Sequence, residues 1–171
     1  TTPTVEGNDV YVMSGRGKVS CFDRRKGRKK WSFDGAKKFK LPKFPRWGLS
    51  ESVLLVGDKV ICTPGAPNAT MAALNKKTGR VVWATKSLSE ESSYCSPLLV
   101  EHKGKKMIVT QAADSVVAVD PKSGKVLWKD SYSDYLGKHR AINVNTPLFA
   151  DGSIYATSGY GDGGAMLALS A

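Results

Sequence analysis

Residues 73–83 read ALNKKTGRVVW, and this eleven-residue phrase decides the fold because the chain repeats it. Residues 21–31 read CFDRRKGRKKW, residues 118–128 read AVDPKSGKVLW, and a fourth copy begins at residues 168–171 as ALSA. The closing tryptophans of the three full copies lie 52 and 45 residues apart. A repeat of about 40–50 residues indicates a stacked or radial architecture, in which each unit buries its apolar faces against its neighbours.

The phrase itself has a mechanical explanation. Asp or Asn at its third position and Gly at its seventh bracket a tight turn, because Asp accepts backbone hydrogen bonds and Gly adopts positive φ. The small residue at position one (Ala73, Ala118 and Ala168) leaves room for an indole, and the tryptophan at position eleven lies on an outer strand. The phrase therefore predicts a structural lock between neighbouring repeats, formed by Trp31, Trp83, Trp128, Gly27, Gly79 and Gly124.

Each repeat divides into four short runs rich in β-branched and aromatic residues and separated by Gly, Asn, Asp or Pro, which is typical of a four-stranded meander. No segment of helical length shows helical periodicity. We therefore predict an all-β chain, a partial β-propeller of antiparallel blades at residues 1–34, 51–86, 95–131 and 145–171, the last without its outer strand. The innermost strands are expected at residues 3–6, 52–56, 96–101 and 146–150.

Composition excludes some classes of protein. The 171 residues are 41% hydrophobic and include 17 glycines, but no apolar run is long enough to span a membrane. Cys21, Cys62 and Cys95 are neither grouped nor spaced as zinc ligands, so they are interpreted as small apolar strand residues. Their spacing does not decide whether they are reduced or oxidised. The start of the chain carries no leader pattern, and in a chain that begins inside a repeat this says nothing about export.

The net charge of +11 is local. Residues 16–46 contain 13 of the 26 Lys and Arg residues and only two acids, Asp23 and Asp34. Such a run can indicate polyanion binding. The predicted topology divides it, however, between the repeated turns on one face and irregular loops on the other, and this argues against a nucleic-acid groove.

At this point the repeats resemble the quinoprotein-type β-propeller family, built of pyrroloquinoline-quinone-like repeats, whose tryptophan-docking motif reads A-x-D-x-x-T-G-x-x-x-W. The resemblance covers essentially the whole chain, with three copies in register. Four positions depart from the motif: Cys21 for Ala, Lys26 for Thr, Asn75 for Asp and Ser123 for Thr. The resemblance implies a piece of a seven- or eight-bladed ring.

Members of this family fall into two classes. Some are dehydrogenases that hold the quinone (PQQ) and calcium in the central channel; others are non-catalytic scaffolds, including the lipoprotein that assists outer-membrane protein assembly. The chain lacks the vicinal cysteines of the alcohol dehydrogenases, and no calcium ligands can be matched. The resemblance thus favours a periplasmic or exported scaffold, without a cofactor of its own, that binds a protein or peptide. A fragment of a PQQ-dependent dehydrogenase and an exported polyanion- or polysaccharide-binding protein remain the alternatives, so enzyme status stays open.

The irregular loops of a propeller lie on one face, here residues 39–51, 88–95 and 131–145 together with 14–17, 64–70, 112–114 and 159–164. We expect the partner-binding residues there, and no catalytic or metal-binding residue is predicted. Trp47 either stacks a ligand or packs its loop down, and Asn145 either faces the channel or makes a strand-entry turn. The candidates are Arg46, Trp47, Glu51, Tyr94, Asn143 and Asn145.

Both terminal blades lack a neighbour in this sequence, and the last lacks a strand. Exposed strand edges and one-sided apolar sheets promote association. We therefore expect the isolated chain to self-associate, and two four-blade halves would sum to a ring of eight.

Overall fold

The structure, a computed structural model, describes residues 1–86, 88–131, 142–161 and 163–170. These residues form fifteen strands and one helical turn. Their bounds are β1 Thr4–Glu6, β2 Asp9–Met13, β3 Lys18–Asp23, β4 Lys29–Asp34, α1 Gly35–Lys38, β5 Leu54–Val56, β6 Lys59–Cys62, β7 Ala72–Asn75, β8 Val81–Ala84, β9 Leu98–His102, β10 Lys105–Gln111, β11 Ser115–Val119, β12 Val126–Ser131, β13 Leu148–Ala150, β14 Ser153–Thr157 and β15 Gly164–Ala168.

The strands form four antiparallel sheets, and within each sheet the spatial order follows the sequence. The first three blades, β1–β4, β5–β8 and β9–β12, have four strands each. In the described residues the fourth blade has three, β13–β15. The all-β prediction of about 3.75 four-stranded blades is therefore confirmed.

The innermost strands of all four blades begin one or two residues later than the runs in the sequence. β1, β9 and β13 begin at Thr4, Leu98 and Leu148 rather than at residues 3, 96 and 146. A proline directly precedes each of these three starts, and proline has no N–H to donate to a sheet. The second blade also begins late, at Leu54, although it has no proline there.

The repeated phrase forms the same turn three times. In the second blade the Asn75 side chain accepts hydrogen bonds from the backbone N–H groups of Lys77 and Thr78, both at 3.1 Å. Gly79 then takes a φ of +70° and donates its N–H to the Asn75 carbonyl at 2.8 Å. Asp23 with Gly27, and Asp120 with Gly124, repeat this arrangement. Each turn therefore satisfies its own backbone and leaves its Lys and Arg side chains outside the sheet.

Each blade presents one cross-strand row of side chains to the blade that follows it in the chain; we call these sets the forward rows. Strand pairing defines them as Thr4–Tyr11–Cys21–Trp31, Leu54–Ile61–Ala73–Trp83, Leu98–Val109–Ala118–Trp128 and Leu148–Tyr155–Met166. The neighbouring strand positions form backward rows, which meet the forward row of the preceding blade.

The hydrophobic core consists of three layers between neighbouring blades. The first packs Tyr11, Met13 and Cys21 against Val60 and Leu74. The second and third layers join blades two and three and blades three and four in the same way. Burial of apolar area between blades is the main favourable contribution to the stability of such a fold.

The tryptophan of one blade packs on the repeated turn of the next. The Trp31 indole lies against Gly79 and donates its N–H to the carbonyl of Lys76 at 2.9 Å. Trp83 likewise lies against Gly124 and donates to the carbonyl of Pro121 at 3.1 Å. In both cases the glycine provides space and the turn provides an acceptor. The indole also pairs across strands with the residue at position one of its own phrase, Cys21 or Ala73.

Hydroxyl groups connect the blades at the inner strands. The N–H of Thr2 donates to Ser52 Oγ at 3.0 Å, that of Ser52 to Ser96 Oγ at 2.9 Å, and that of Ser96 to Thr146 Oγ1 at 3.3 Å. One Ser or Thr in each of the second, third and fourth blades therefore accepts a hydrogen bond from the preceding blade. The sequence carries a signal for this in its Thr-Pro, Ser-Pro and Thr-Pro pairs at residues 2–3, 96–97 and 146–147.

The irregular loops contact one another. Leu49 donates its N–H to Gly15 O at 3.0 Å, and Gly35, the first residue of α1, donates to Gly17 O at 3.0 Å. Asp34 caps α1 by accepting from the N–H of Lys37 at 2.9 Å. Loops that leave the sheets at the same end thus form a continuous surface, which we call the loop face, while the repeated turns lie at the opposite end. In the part of the chain that the structure describes, no helix is long and apolar enough to cross a membrane.

Candidate functional site

A cleft of about 740 Å³ opens on the loop face between the second and third blades. We call it the loop-face cleft. Three segments line it, residues 43–47, 89–94 and 113–114, and Ile142 lies at its end. The first segment follows the first blade and the second follows the second blade, so the cleft exists only because neighbouring blades pack together.

An aromatic pair forms part of the cleft wall. The rings of Trp47 and Tyr94 lie 5.6 Å apart between centroids and are tilted by 60°. The guanidinium of Arg46 lies 5.3 Å from the centroid of the Trp47 ring. Trp47 is 55% exposed, so its indole keeps a large accessible surface despite these contacts. An exposed indole beside a cation can stack a planar or apolar group of a ligand.

The backbone under Tyr94 is held from both sides. Ser50 Oγ donates to the Tyr94 carbonyl at 3.1 Å, and the Tyr94 N–H donates to the carbonyl of Asn143 at 2.9 Å. Ser93 Oγ donates to the same Asn143 carbonyl at 2.6 Å. Asn143 is fully buried, and its side-chain N–H donates to Ala112 O at 2.9 Å. The aromatic pair therefore rests on a fixed support rather than on a free loop.

The structure brings three of the six candidate residues into the cleft: Arg46, Trp47 and Tyr94. Asn143 supports the cleft from beneath. Asn145 is exposed and bonded locally, since its side-chain N–H donates to Thr157 Oγ1 at 2.8 Å and its carbonyl accepts from Gln111 Nε2 at 2.6 Å. Glu51 lies apart from the cleft and is inaccessible.

Glu51 is a buried carboxyl with local partners only. It is 1% exposed, and both its oxygens accept from Thr63, one from the backbone N–H at 2.7 Å and one from the hydroxyl. Burial raises the pKa of this carboxyl to about 8, and the Thr63 N–H opposes that shift only in part. Glu51 is thus largely protonated at neutral pH.

Sequence reasoning missed Glu90, a buried acid in the cleft wall. Glu90 is 7% exposed, accepts hydrogen bonds from Ser115 Oγ at 2.8 Å and 3.0 Å, and forms an ion pair with Lys129. The Asp114 N–H also donates to it at 3.2 Å. Nothing in the local sequence distinguishes Glu90 from its neighbour Glu91, because its partners come from another blade.

The three cysteines are free and buried. Burial raises the pKa of each thiol, most strongly for Cys62. Cys95 contacts Thr110 and the carbonyl of Gln111 through its Sγ, each at 3.6 Å. Among the described residues, no three His, Cys, Asp or Glu side chains converge as a metal-binding group.

Comparisons with known proteins agree with this architecture. The quinoprotein alcohol dehydrogenase PedH of Pseudomonas putida KT2440 is 28% identical over 139 residues, which cover 74% of this chain and 22% of the relative. A quinoprotein ethanol dehydrogenase of Pseudomonas putida is 26% identical over 134 residues, covering 70% of this chain and 20% of that protein. The chain thus spans about a fifth of the length of the curated relatives that it matches.

Solved structures share the fold at low identity. The quinohemoprotein alcohol dehydrogenase of Comamonas testosteroni superposes with a TM-score of 0.64 at 19% identity, over 92% of this chain and 28% of the other. BamB of Moraxella catarrhalis superposes with a TM-score of 0.60 at 19% identity, over 89% and 44%. A family model described as outer membrane protein assembly factor BamB matches residues 1–171. Together with the three registered docking phrases, this match shows that the chain belongs to the PQQ-like repeat family of β-propellers.

Proposed function

We propose that this chain is part of a non-catalytic propeller scaffold that presents its loop face to a protein or peptide partner. The observation that carries the proposal is the exposed Trp47 beside Tyr94 and Arg46, held on a fixed support at the edge of a cleft. Exposed aromatic and arginine side chains supply most of the binding energy at protein interfaces. The buried side chains of Glu90 and Ser93, which also line the cleft, bond to the protein itself.

Selection from a random peptide library tests this proposal. The 171-residue protein should enrich peptides whose binding is lost in Trp47→Ala and weakened in Tyr94→Phe. A matched control is Tyr160→Ala, which also removes an exposed aromatic side chain, 85% exposed, from outside the cleft. If no enriched peptide depends on Trp47, the loop-face cleft is not the partner site.

A second candidate is a segment of a PQQ-dependent dehydrogenase. The similarity to two quinoprotein dehydrogenases favours it. The described residues, however, do not fit a calcium site on their own: the buried carboxyl of Glu51 is occupied by Thr63, and Glu90 by Ser115 and Lys129. Titration of the full-length protein with PQQ and calcium, followed by absorbance, would favour the dehydrogenase if the signal saturates.

We also propose that the protein acts in the periplasm or outside the cell. The description of the matching family model, which concerns outer membrane protein assembly, supports this location. Fractionation of cells that express the full-length gene tests it. Recovery in the cytoplasmic fraction alone would overturn it.

The fourth blade carries an uncovered forward row, and we propose that it associates with another blade of this repeat. Leu148, Tyr155 and Met166 occupy the row positions that are covered in the first three blades, and they are 64%, 44% and 71% exposed. Tyr155 corresponds to Tyr11, which is 1% exposed. The backward row of the first blade, which includes Val5 at 52% exposure, is the complementary surface.

A further inference from the structure

Six cationic side chains on the loop face have no anionic partner among the residues that the structure describes. All six are exposed, and within the described residues none forms an ion pair with a carboxylate; they are Arg16, Lys37, Lys38, Lys40, Lys43 and Arg46. Asp34 is the one acid in their stretch of sequence on this face, and its carboxylate already caps α1. The resulting positive surface extends from the first blade to one wall of the loop-face cleft.

Packing between loops places these cations together. The loop of residues 14–17 contacts Ala36 of α1 and the backbone at Gly48 and Leu49. Arg16 thereby lies over the ring of Phe44, with its guanidinium carbon 5.2 Å from the ring centroid. Two stacked pairs of an arginine and an aromatic ring thus lie at the cleft: Arg46 and Trp47 both line it, and Arg16 lies over the lining residue Phe44. Stacking holds each guanidinium in place while its N–H donors stay available for carboxylates.

A second part of the cleft lining, which we call the acidic wall, has the reverse charge. Glu91 and Asp114 are exposed, and neither forms an ion pair with a described cation. Ser92, which also lines the cleft, has a buried hydroxyl without a hydrogen-bond partner among the described residues. A uniformly charged polyanion would be repelled by the acidic wall. A polypeptide can place its acids on one wall and uncharged or basic groups on the other.

We infer that the loop-face cleft binds an acidic protein segment that carries an aromatic side chain, with its carboxylates on Lys43, Arg46 and the adjoining Arg16 and its aromatic ring against Trp47 and Tyr94. The inference rests on the proposed partner-binding function and specifies the chemistry of the partner. The basic cluster at residues 24–30 belongs to the repeated turn at the other end of the blade, so it does not contribute to this site.

The test uses three fluorescein-labelled synthetic peptides: Glu-Glu-Phe repeated three times, the same length of Glu-Glu-Ala, and Lys-Lys-Phe. Fluorescence anisotropy with the 171-residue protein should show saturable binding of the Glu-Glu-Phe peptide that weakens as salt rises. The Glu-Glu-Ala peptide should bind about tenfold more weakly, since aromatic anchors carry much of the energy of such contacts. The Lys-Lys-Phe peptide should not bind.

A pair of charge-reversal variants supplies the matched control. Lys43→Glu with Arg46→Glu changes the wall of the cleft, and Arg25→Glu with Lys26→Glu makes the same change of net charge on the repeated turn at the opposite end. The first should weaken binding of the Glu-Glu-Phe peptide about tenfold or more and the second about twofold or less. Circular dichroism checks that both variants remain folded. Equal losses in the two variants would overturn the inference, because binding would then depend on net charge alone.

Other outcomes separate this inference from the proposed function. Library peptides that depend on Trp47 but are not acidic would overturn the inference and leave the partner-binding function in place. An equal affinity for the Glu-Glu-Ala peptide would also overturn it. If heparin or vesicles of anionic phospholipid bind through Lys43 and Arg46 while the Glu-Glu-Phe peptide does not bind, the surface recognises a polyanion instead of a protein segment.

Discussion

The six-membered ring of the Trp31 indole lies against the backbone of Gly79 in the next blade, so close that a Cβ built on Gly79 would be 2.5 Å from Cε3. Gly27, at the same position of the first copy of the phrase, would place its Cβ in open space. Both glycines have positive φ, at +70° and +64°. Glycine therefore has two roles in the repeat. In every copy it allows the positive φ of the turn, and at Gly79 it also leaves space for the indole of the preceding blade.

The two glycines predict different costs of substitution. Gly27→Ala should destabilise the protein by about 1–2 kcal/mol through backbone strain alone. Gly79→Ala should cost about 1–3 kcal/mol more, because the indole of Trp31 must move. Urea unfolding of both variants measures the difference. Equal free energies of unfolding would show that the contact with the indole contributes nothing beyond the turn.

Substitution of Ser96 measures how much the hydroxyl groups that connect the inner strands contribute to stability. Ser96→Ala removes the acceptor of the Ser52 N–H and should lower stability by about 0.5–1.5 kcal/mol. Ser96→Thr should stay close to the parent protein, because threonine already occupies the equivalent position at Thr146. The midpoint of thermal unfolding compares the two variants. A loss of the same size in Ser96→Thr would point to packing rather than to the hydrogen bond.

Glu51 predicts a dependence of stability on pH. Its pKa of about 8 in the folded chain exceeds the ordinary value of 4.5, so the folded state holds a proton that the unfolded state has released. The contribution of Glu51 to the free energy of unfolding is largest below about pH 4.5. It decreases as the pH rises from there to about 8 and is constant at higher pH. The slope is at most about 1.4 kcal/mol per pH unit, the value for one proton.

Glu51→Gln isolates this effect, because glutamine keeps an acceptor for Thr63 N–H and does not titrate. Urea unfolding of both proteins from about pH 5 to about pH 8 should give a smaller decrease in the free energy of unfolding for the variant. Parallel curves for the two proteins would mean that Glu51 titrates near its ordinary pKa.

The uncovered forward row predicts self-association of the isolated chain. Leu148→Lys with Met166→Lys should reduce the mass of the associated species in light scattering on a sizing column, because charged side chains oppose burial of the row. Val82→Lys with Leu127→Lys is the matched control, since these residues are 47% and 48% exposed on outer strands. Equal effects of the two pairs would show that general charge, not the row, controls association.

The sequence predicted the fold well because its signals are local. The Asp or Asn and the Gly of each phrase lie four residues apart, so the chain itself defines the turn, and alternation within each run defines the strands. The candidate site was harder. Arg46, Trp47 and Tyr94 were selected from loops that the topology placed on one face, but the same reasoning also selected Glu51, whose carboxyl turned out to be buried against Thr63.

What the sequence determined by itself is the repeating unit: four strands, one stapled turn and one tryptophan, each specified by residues close together in the chain. The tertiary structure alone decided which glycine receives an indole and that Trp47 meets Tyr94 across a blade boundary. These features depend on contacts between residues far apart in the sequence. Such contacts follow from the way one blade packs on the next, and a local pattern carries no record of that packing.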